Sequence, residues 1–363
     1  MRGASEAGYA RDASAASASE MVAAGAPSQT RPRVGLVLAG CFVALLLAMA
    51  LGTSFGTAPA SLTRAIFDAA SSDREIVFNV RLPRVLLGAI AGAGLSIVGV
   101  SLQALLRNPL AEPFILGVSG GSAFGATVGM ILGVSGATIL GVNLGPSLLP
   151  LAALMGGVGA TVLVHAFAAA APGSRGTSVL LAGIVVNAIA SAGITFIKTL
   201  VTQSKAQELL FWLMGFLDVP QRSSLVALAV YVALGSAVLL RDAARLNVLS
   251  LGDDAAEHLG VRVRAVELRT LLASSLVVGA IVSVTGLIGF VGLLVPRILR
   301  RLLGPDTRVL MPASLLLGGA ALVLCDLVSR GAFRYLHQEV PVGAVTALAG
   351  GPLFLFLLRR RAP

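Results

Sequence analysis

Residues 81–113, RLPRVLLGAIAGAGLSIVGVSLQALLRNPLAEP, decide the fold of this chain. The stretch from 85 to 106 carries no charge, and at about 1.5 Å per residue it forms a helix of roughly 33 Å, enough to cross a bilayer core. Small residues such as Gly88, Gly92 and Gly99 let another helix approach its backbone closely. We therefore predict a transmembrane helix, flanked by arginines and packed inside a bundle.

The composition extends this prediction to all 363 residues. Hydrophobic residues make up 56% of the chain and charged residues 12%, which is typical of a polytopic membrane protein and not of a soluble core. A formal net charge of +10 would suggest a nucleic-acid partner in a soluble protein. Here the basic residues fall mainly between apolar runs, which is the pattern of membrane topology. We therefore expect contact with membrane lipid and no nucleic-acid partner.

Apolar segments follow one another along the chain and predict an all-α polytopic membrane protein with ten transmembrane helices. The segments are 34–53, 84–106, 114–133, 147–171, 178–201, 223–240, 266–285, 287–303, 309–329 and 341–358. An even number of spans puts both termini on one side of the membrane. Most of the 27 basic residues fall on that side, which favours the cytoplasm. The third segment also carries a glycine every four residues, which predicts close helix packing.

Residues 1–33 are rich in Ala, Ser and Gly and lack the apolar mass that a folded core needs. We interpret them as a disordered cytoplasmic tail ahead of a ten-helix transmembrane domain, residues 34–361. A cleaved signal peptide is the alternative, because two arginines precede the apolar run at 34–52. That run is long for a signal peptide and has no small-residue cleavage site at its end, so a first membrane span is the preferred interpretation.

The longest polar segment on the predicted cytoplasmic side covers residues 241–265, with LSLGDDAAEHLGV at 249–261 in its middle. Asp253 and Asp254 can begin a short helix, where negative charge is favourable, and Gly260 can end it. A helix resting on lipid headgroups is the alternative, but an anionic leaflet would repel its acidic residues. We therefore predict that this helix docks on a partner protein.

Chemistry on the chain itself has little support in the sequence. Gly120 and Gly121 resemble a phosphate loop only superficially, because no Gly-Lys-Ser/Thr follows. The three histidines lie far apart, no metal-ligand or Ser-His-Asp spacing appears, and both cysteines lie inside apolar runs. We therefore expect no enzymatic activity, no bound metal and no cofactor on this chain.

Ionisable residues are scarce within the predicted spans. Asp326 and Arg330 lie four residues apart and can pair on one helical face. Carriers driven by an ion gradient usually need ionisable or unwound polar sites near the midplane of the membrane. An external energy source is therefore favoured, and an ion-gradient-driven secondary transporter is the alternative.

A series of motifs along the chain resembles one protein family. The motifs are RLPR at 81–84, RNPLAEP at 107–113, LGVSGG at 116–121, LLAG at 180–183, FWLMG at 211–215, LSLGDDAAEHLGV at 249–261, GLIGFVGLLVPRILR at 286–300 and PVGAVTALAGGPLFLFLL at 341–358. In this order they resemble the permease subunits of bacterial ABC importers for ferric siderophores, haem and cobalamin, which are type II importers. The resemblance covers roughly residues 35 to 360.

The resemblance implies an assembly and an activity. The assembly is a homodimer of ten-helix permeases in the bacterial inner membrane, with two cytoplasmic ATPase subunits that hold ATP and Mg²⁺ and a periplasmic substrate-binding protein. This chain would be the multi-pass permease that moves an iron chelate from the periplasmic side to the cytoplasm. A ferric siderophore, haem and cobalamin all stay open as the cargo.

The resemblance also implies roles for individual residues. The cytoplasmic gate is expected at Asn108, Pro109, Leu110, Thr177 and Ser178. Contact with the ATPase subunit is expected from Leu251, Gly252, Asp253, Asp254, Ala255, Glu257, His258, Leu259 and Gly260. Docking of the binding protein is expected at Arg330, Arg74 and Arg64.

Overall fold

The computed structural model describes residues 31–68, 70–114, 116–134, 138–139, 142–143, 145–170 and 175–359. The predicted tail therefore lies outside the described residues up to residue 30, and the first helix begins at Arg31. The chain divides into residues 1–36 and a unit of residues 37–363. In the first unit, residues 31–36 are helical, and the described part of the second unit is almost entirely helical.

Each predicted apolar segment coincides with one helix of the structure. The elements are α1 Arg31–Ser54, α2 Leu62–Phe67, α3 Ser72–Glu75, a π-helix Ile76–Arg81, α4 Leu82–Leu105, α5 Val118–Ile131, β1 Thr138–Ile139, β2 Val142–Asn143, α6 Gly145–Ala170, α7 Arg175–Leu200, α8 Gln203–Leu213, α9 Arg222–Leu249, α10 Asp253–His258, α11 Val263–Thr285, α12 Val291–Leu303, α13 Thr307–Leu336 and α14 Val342–Arg359. The two short strands pair with each other in an antiparallel manner.

Within the described residues, seven helices are long and apolar enough to cross a membrane. They are α1, the continuous helix from α3 through α4, and α6, α7, α9, α11 and α13. Helices α5 and α14 are apolar but shorter, and α12 has 13 residues. The prediction of an all-α polytopic membrane protein is confirmed, whereas the count of ten membrane-crossing helices stays a prediction.

Helix α4 lies at the centre of the bundle. Its most apolar window is 78% buried, compared with 11% for α1 at the periphery, and α4 packs against α9, α11, α12 and α13. A Cβ added at Gly92 would lie 2.2 Å from the carbonyl oxygen of Gly318 in α13, and one added at Gly99 would lie 1.8 Å from that of Gly292 in α12. The backbones are therefore in direct contact, as the small residues of α4 predict.

Arg81, directly before α4, and Arg84, in its first turn, do not flank the membrane span as predicted. Because α3, the π-helix and α4 run without a break, this span begins at Ser72, and Arg81 and Arg84 are only 5% and 8% exposed. The Arg81 guanidinium donates to two carbonyl groups at the end of α1, which have no partner within that helix, and to a third in the segment that follows α1. Its acceptors are the carbonyl oxygens of Thr53, Ser54 and Ala58, at 3.1, 2.7 and 2.5 Å.

We expect Gly99→Ala to lower the free energy of unfolding by about 1–3 kcal/mol, because the new methyl group forces α4 and α12 apart. Thermal denaturation of the purified protein in detergent measures the effect. Gly40→Ala in α1 is the matched control: nothing lies within 4 Å of a Cβ added there, and alanine favours a helix over glycine. Equal melting temperatures for the two variants would contradict the close contact.

Candidate functional site

The 106–117 loop joins α4 to α5 and contains three of the predicted gate residues; its residue 115 lies outside the described part of the chain. Arg107, the second residue of the loop, has a left-handed backbone, φ +51°. The side-chain oxygen of Asn108 accepts the N–H of Leu110 at 2.9 Å, and its carbonyl oxygen accepts the N–H of Ala111 at 3.1 Å. Asn108 and Pro109 thus form the tight turn that the sequence predicts.

Glu112 fastens the far side of this loop to α12. Its Oε1 accepts the N–H of Phe290 at 2.5 Å, directly before the first residue of α12. The side chain is 6% exposed. Burial raises the pKa of the Glu112 carboxyl to about 7, although the hydrogen bond from Phe290 acts in the opposite direction. No sequence pattern points to Glu112, because Phe290, whose N–H it binds, lies 178 positions away along the chain.

The second pair of predicted gate residues, Thr177 and Ser178, lies at the start of a helix. Helix α7 begins at Arg175, so Thr177 and Ser178 belong to its first turn, where Ser and Thr are well tolerated because the first N–H groups lack helical partners. Ser178 is 7% exposed, and the side chain of Thr177 lies outside the described part. The 106–117 loop reaches α7 at its end, where a Cβ added at Gly117 would lie 3.2 Å from the carbonyl oxygen of Gly183.

The short helix predicted within the polar segment 241–265 is present as α10, Asp253–His258. Gly252 precedes it with φ +123° and Gly260 follows with φ +80°, both unfavourable for other residues. Ala256 is its buried contact with the bundle. The surrounding side chains are exposed, and they are those of Leu251, Asp254, Glu257, His258 and Leu259. An exposed helix with apolar residues at both ends is typical of a surface that binds a partner.

The helix that precedes α10 is firmly anchored. Asp242 of α9 is 1% exposed; it forms ion pairs with Arg245 and, at 2.7 Å, with Arg269 of α11. Asn247 donates to Asp306 at 2.6 Å and accepts the N–H of Thr307 at 2.8 Å, which ties α9 to the start of α13. Residues 241–249 are therefore helical and fixed, and α10 projects from a rigid base.

A salt bridge connects the 106–117 loop to α10. Arg107 Nη2 lies 3.0 Å from Asp253 Oδ1, and the two side chains are 39% and 34% exposed. A cavity of about 280 Å³ lies beside the loop, between Pro109, Asn247 and Arg300, so the loop is not packed against a core on that side. Asp253 was among the predicted site residues and Arg107 was not. The signal for Arg107 is its place directly before Asn108, on the same predicted side of the membrane as the acidic start of α10.

Arg330, the first of the predicted docking residues, is an internal residue that is 4% exposed. Its Nη1 donates to the carbonyl oxygens of Gly52 and Phe55 at 3.0 Å each, so it holds the end of α1 as Arg81 does. Its Nε lies 2.9 Å from Asp326 Oδ2, which confirms the pair predicted from their spacing.

Asp326 is the centre of a buried ion cluster to which Arg330 belongs. Arg84 Nη2 lies 2.9 Å from Asp326 Oδ1, and Arg84 Nη1 lies 2.9 Å from Glu339 Oε2. Unsatisfied carbonyl groups and unpaired charges are costly inside a membrane protein. The Arg330 guanidinium therefore makes its contacts within the helix bundle, and in this structure it is not accessible to another protein.

Arg64 and Arg74, the other two predicted docking residues, are exposed. The Arg74 guanidinium lies 5.4 Å from the centre of the Phe78 ring, and Arg64 lines an open cavity of about 810 Å³. Arg222, which sequence analysis missed, is exposed as well and donates to Asn79 at 3.1 Å. Arg222 is the first residue of the long helix α9, and α10 follows the other end of that helix. These arginines therefore lie at the end of the bundle opposite α10.

A polar pair also lies between α6 and α11. His165 Nε2 lies 3.1 Å from Glu267 Oε1, and its Nδ1 lies 3.0 Å from the carbonyl oxygen of Thr161. Both ring nitrogens therefore have partners, which does not favour ligation of haem iron by this histidine. Within the described ranges, no group of three or more His, Cys, Asp or Glu side chains could hold a metal ion.

Known proteins share this architecture. The chain is 34% identical to the hemin transport system permease protein of Yersinia pestis over 340 residues, which are 92% of this chain and 97% of that protein. It is 40% identical to the cobalamin import system permease protein of Halobacterium salinarum over 301 residues, which are 81% of this chain and 76% of that protein.

A solved structure of a metal-chelate type ABC transporter in an inward-facing conformation matches with a TM-score of 0.75 and 31% identity, over 90% of this chain and 99% of that one. The family model for the FecCD transport family matches residues 40–360. These residues contain the 106–117 loop, α10 and the buried arginine cluster. The chain belongs to the FecCD transport family.

Proposed function

We propose that this chain is the permease subunit of an ATP-driven importer that carries an iron chelate from the periplasm to the cytoplasm. The observation that carries the proposal is the salt bridge between Arg107 and Asp253, because it joins the predicted gate to the predicted ATPase contact. Ferric siderophore and haem are the proposed iron chelates, and cobalamin, which is a cobalt chelate, is the third proposed cargo class, since the relatives named above are permeases for hemin and for cobalamin. ATP and Mg²⁺ belong to the ATPase subunit, and this chain performs no catalysis.

The proposed assembly contains two copies of this chain, two ATPase subunits and a binding protein. Helix α7 supports the second copy, because it exposes apolar side chains along its length, among them Leu181 at 61%, Ile184 at 55% and Phe196 at 65%. In the bacterial inner membrane such a face is covered by lipid or by protein. We place both termini in the cytoplasm, on the side of α10.

The proposed mechanism couples ATPase closure to the gate through α10. Because residues 241–249 are anchored to α11 and α13, a force applied by the ATPase acts on α10 itself. The Arg107–Asp253 salt bridge passes this displacement to the turn at Asn108–Leu110, and the cavity beside the loop gives the turn room to move.

The proposed site for the binding protein lies at the opposite end, on Arg64 and Arg74, where acidic residues of that protein would pair with them. Arg222 extends this basic surface. Arg330 takes no direct part in this proposal, because its guanidinium holds the end of α1. A substitution of Arg330 would therefore act on the fold before it acts on docking.

Transport in proteoliposomes separates this function from that of an ion-gradient-driven secondary transporter, which the ionisable pair His165–Glu267 could serve. We expect the chain, with its ATPase and binding protein, to accumulate ferric siderophore, haem or cobalamin only when ATP is supplied, with or without ionophores. The purified chain alone is expected to hydrolyse no ATP. Uptake that persists without ATP and stops when ionophores collapse the ion gradient would establish the secondary transporter instead.

We expect Arg107→Glu to lower ATP-driven transport by about tenfold, because two like charges then face each other at the loop and α10. The double variant Arg107→Glu/Asp253→Arg restores the attraction and should recover most of the rate. Arg262→Glu, an exposed residue that follows α10, is the matched control and should transport as the wild type does. Melting temperatures check that folding is unchanged. Wild-type transport by the Arg107→Glu single variant would show that this salt bridge does not couple α10 to the loop.

A further inference from the structure

We propose that a cavity between α6 and α11 binds an anionic phospholipid, with the phosphate at Arg264 and an acyl chain along the apolar part of the cavity. The α6–α11 cavity has a volume of about 290 Å³ and lies between residues 158–165 of α6 and residues 264–275 of α11. The inference rests on the proposed function only for the leaflet that supplies the lipid, which is the cytoplasmic leaflet because α10 is placed in the cytoplasm.

The lining of the cavity changes from charged to apolar with distance from α10. Arg264 is the second residue of α11, which begins five positions after the end of α10. Glu267, one turn further along α11, faces His165 near the end of α6. The apolar side chains in the lining are those of Val158, Val162, Leu268, Leu271 and Leu272. A phospholipid has the same order, with a charged headgroup at the membrane surface and acyl chains towards the middle of the bilayer.

The apolar part of the cavity is open at the surface of the helix bundle. Val162 and Leu268 at its rim are 61% and 58% exposed. On its inner side, the Thr161 hydroxyl donates to the carbonyl oxygen of Gly157 at 2.8 Å and lies 3.4 Å from the hydroxyl of Ser275, which is fully buried. These hydroxyls therefore have partners within the protein. In a membrane an acyl chain occupies such a gap, because its lining would otherwise lack van der Waals contacts.

The carboxyl group in the lining does not repel an anionic headgroup. His165 Nδ1 lies 3.0 Å from the carbonyl oxygen of Thr161, and because a carbonyl oxygen only accepts, Nδ1 carries a hydrogen. His165 Nε2 lies 3.1 Å from Glu267 Oε1, and this hydrogen bond needs a proton either on Nε2 or on the carboxyl group. In each arrangement the two side chains together carry no net negative charge.

Arg264 therefore gives the lining a net positive charge. Its side chain is exposed, and it forms no ion pair with a residue in the described part of the chain. The N-terminus of α11 adds positive potential at the same place, and no side chain caps it. A basic pocket between membrane helices at the cytoplasmic surface favours an anionic lipid headgroup. The acyl chain thus fills the cavity, and Arg264 selects the headgroup.

Native mass spectrometry of the purified full-length chain tests this inference by counting bound lipids. The probes are phosphatidylglycerol, which is anionic, and phosphatidylcholine, which is zwitterionic, with identical acyl chains. We expect each copy of the chain to retain one phosphatidylglycerol with an affinity about fivefold higher than that for phosphatidylcholine. An excess of glycerol phosphate, which has the headgroup charge without acyl chains, should leave this lipid bound.

Removing the charge tests the headgroup contact. Arg264→Gln should abolish the preference, so that the two lipids bind with equal affinity. Arg262→Gln is the matched control, because it removes an exposed arginine two residues earlier that does not line the cavity, and it should keep the preference. A preference that survives in Arg264→Gln, or equal affinities in the wild type, would overturn the inference.

Filling the cavity tests the place of the acyl chain. Val162→Trp puts a larger side chain into the cavity from its rim and should lose the retained phosphatidylglycerol. Val226→Trp on α9 is the matched control, because Val226 is 63% exposed and does not line the cavity; it should retain the lipid. Equal retention by the two tryptophan variants, or displacement of the lipid by glycerol phosphate, would show that no acyl chain lies in the cavity.

The lipid count needs neither ATP nor an ATPase subunit, so it fails independently of the transport assay. A chain that prefers phosphatidylglycerol but shows no ATP-driven uptake confirms the lipid site and refutes the proposed function. Conversely, ATP-driven uptake by a chain that binds the two lipids equally supports the permease and refutes the lipid site.

Discussion

The structure depends on helix α4 being in direct backbone contact with its neighbours. In a membrane, apolar side chains gain little by leaving lipid for protein, so helices associate through close packing and polar contacts. Gly92 meets Gly318 of α13 and Gly99 meets Gly292 of α12 with no room for a Cβ between them. These contacts fix α12 and α13 around α4, and they place Phe290 where Glu112 can reach it.

The 106–117 loop is attached at two places that differ in burial and in mobility. On one side Glu112 is buried and binds the immobile end of α12. On the other side Arg107 is exposed and binds Asp253 of α10, which projects from the bundle. The loop is therefore fixed at Glu112, whereas it can be displaced at Arg107. A movement of α10 can turn the segment at Asn108–Leu110 without disturbing the packed helices, which is what a gate driven from outside the membrane needs.

Much of this architecture follows from the sequence because its cause is local. Apolar runs separated by polar turns predicted the position of each long helix, and acidic residues followed by Gly260 predicted α10. Arg330 could not be placed in this way, because the carbonyl oxygen of Gly52 that it binds lies 278 positions away. The partners of Arg107 and Glu112 are 146 and 178 positions away. The start of α7 at Arg175 was missed because helix termini are weakly encoded by composition.

The central claim is that an ATPase subunit acts on α10 and that the 106–117 loop follows. The most direct test is a pair of cryo-EM structures of this chain with its ATPase subunit, one without nucleotide and one with ATP trapped. The account predicts that α10 contacts the ATPase in both structures and that Leu110 moves with Asp253 between them, while Phe290 keeps its position relative to α4. An ATPase bound to another surface, or a loop that stays in place while α10 moves, would contradict it.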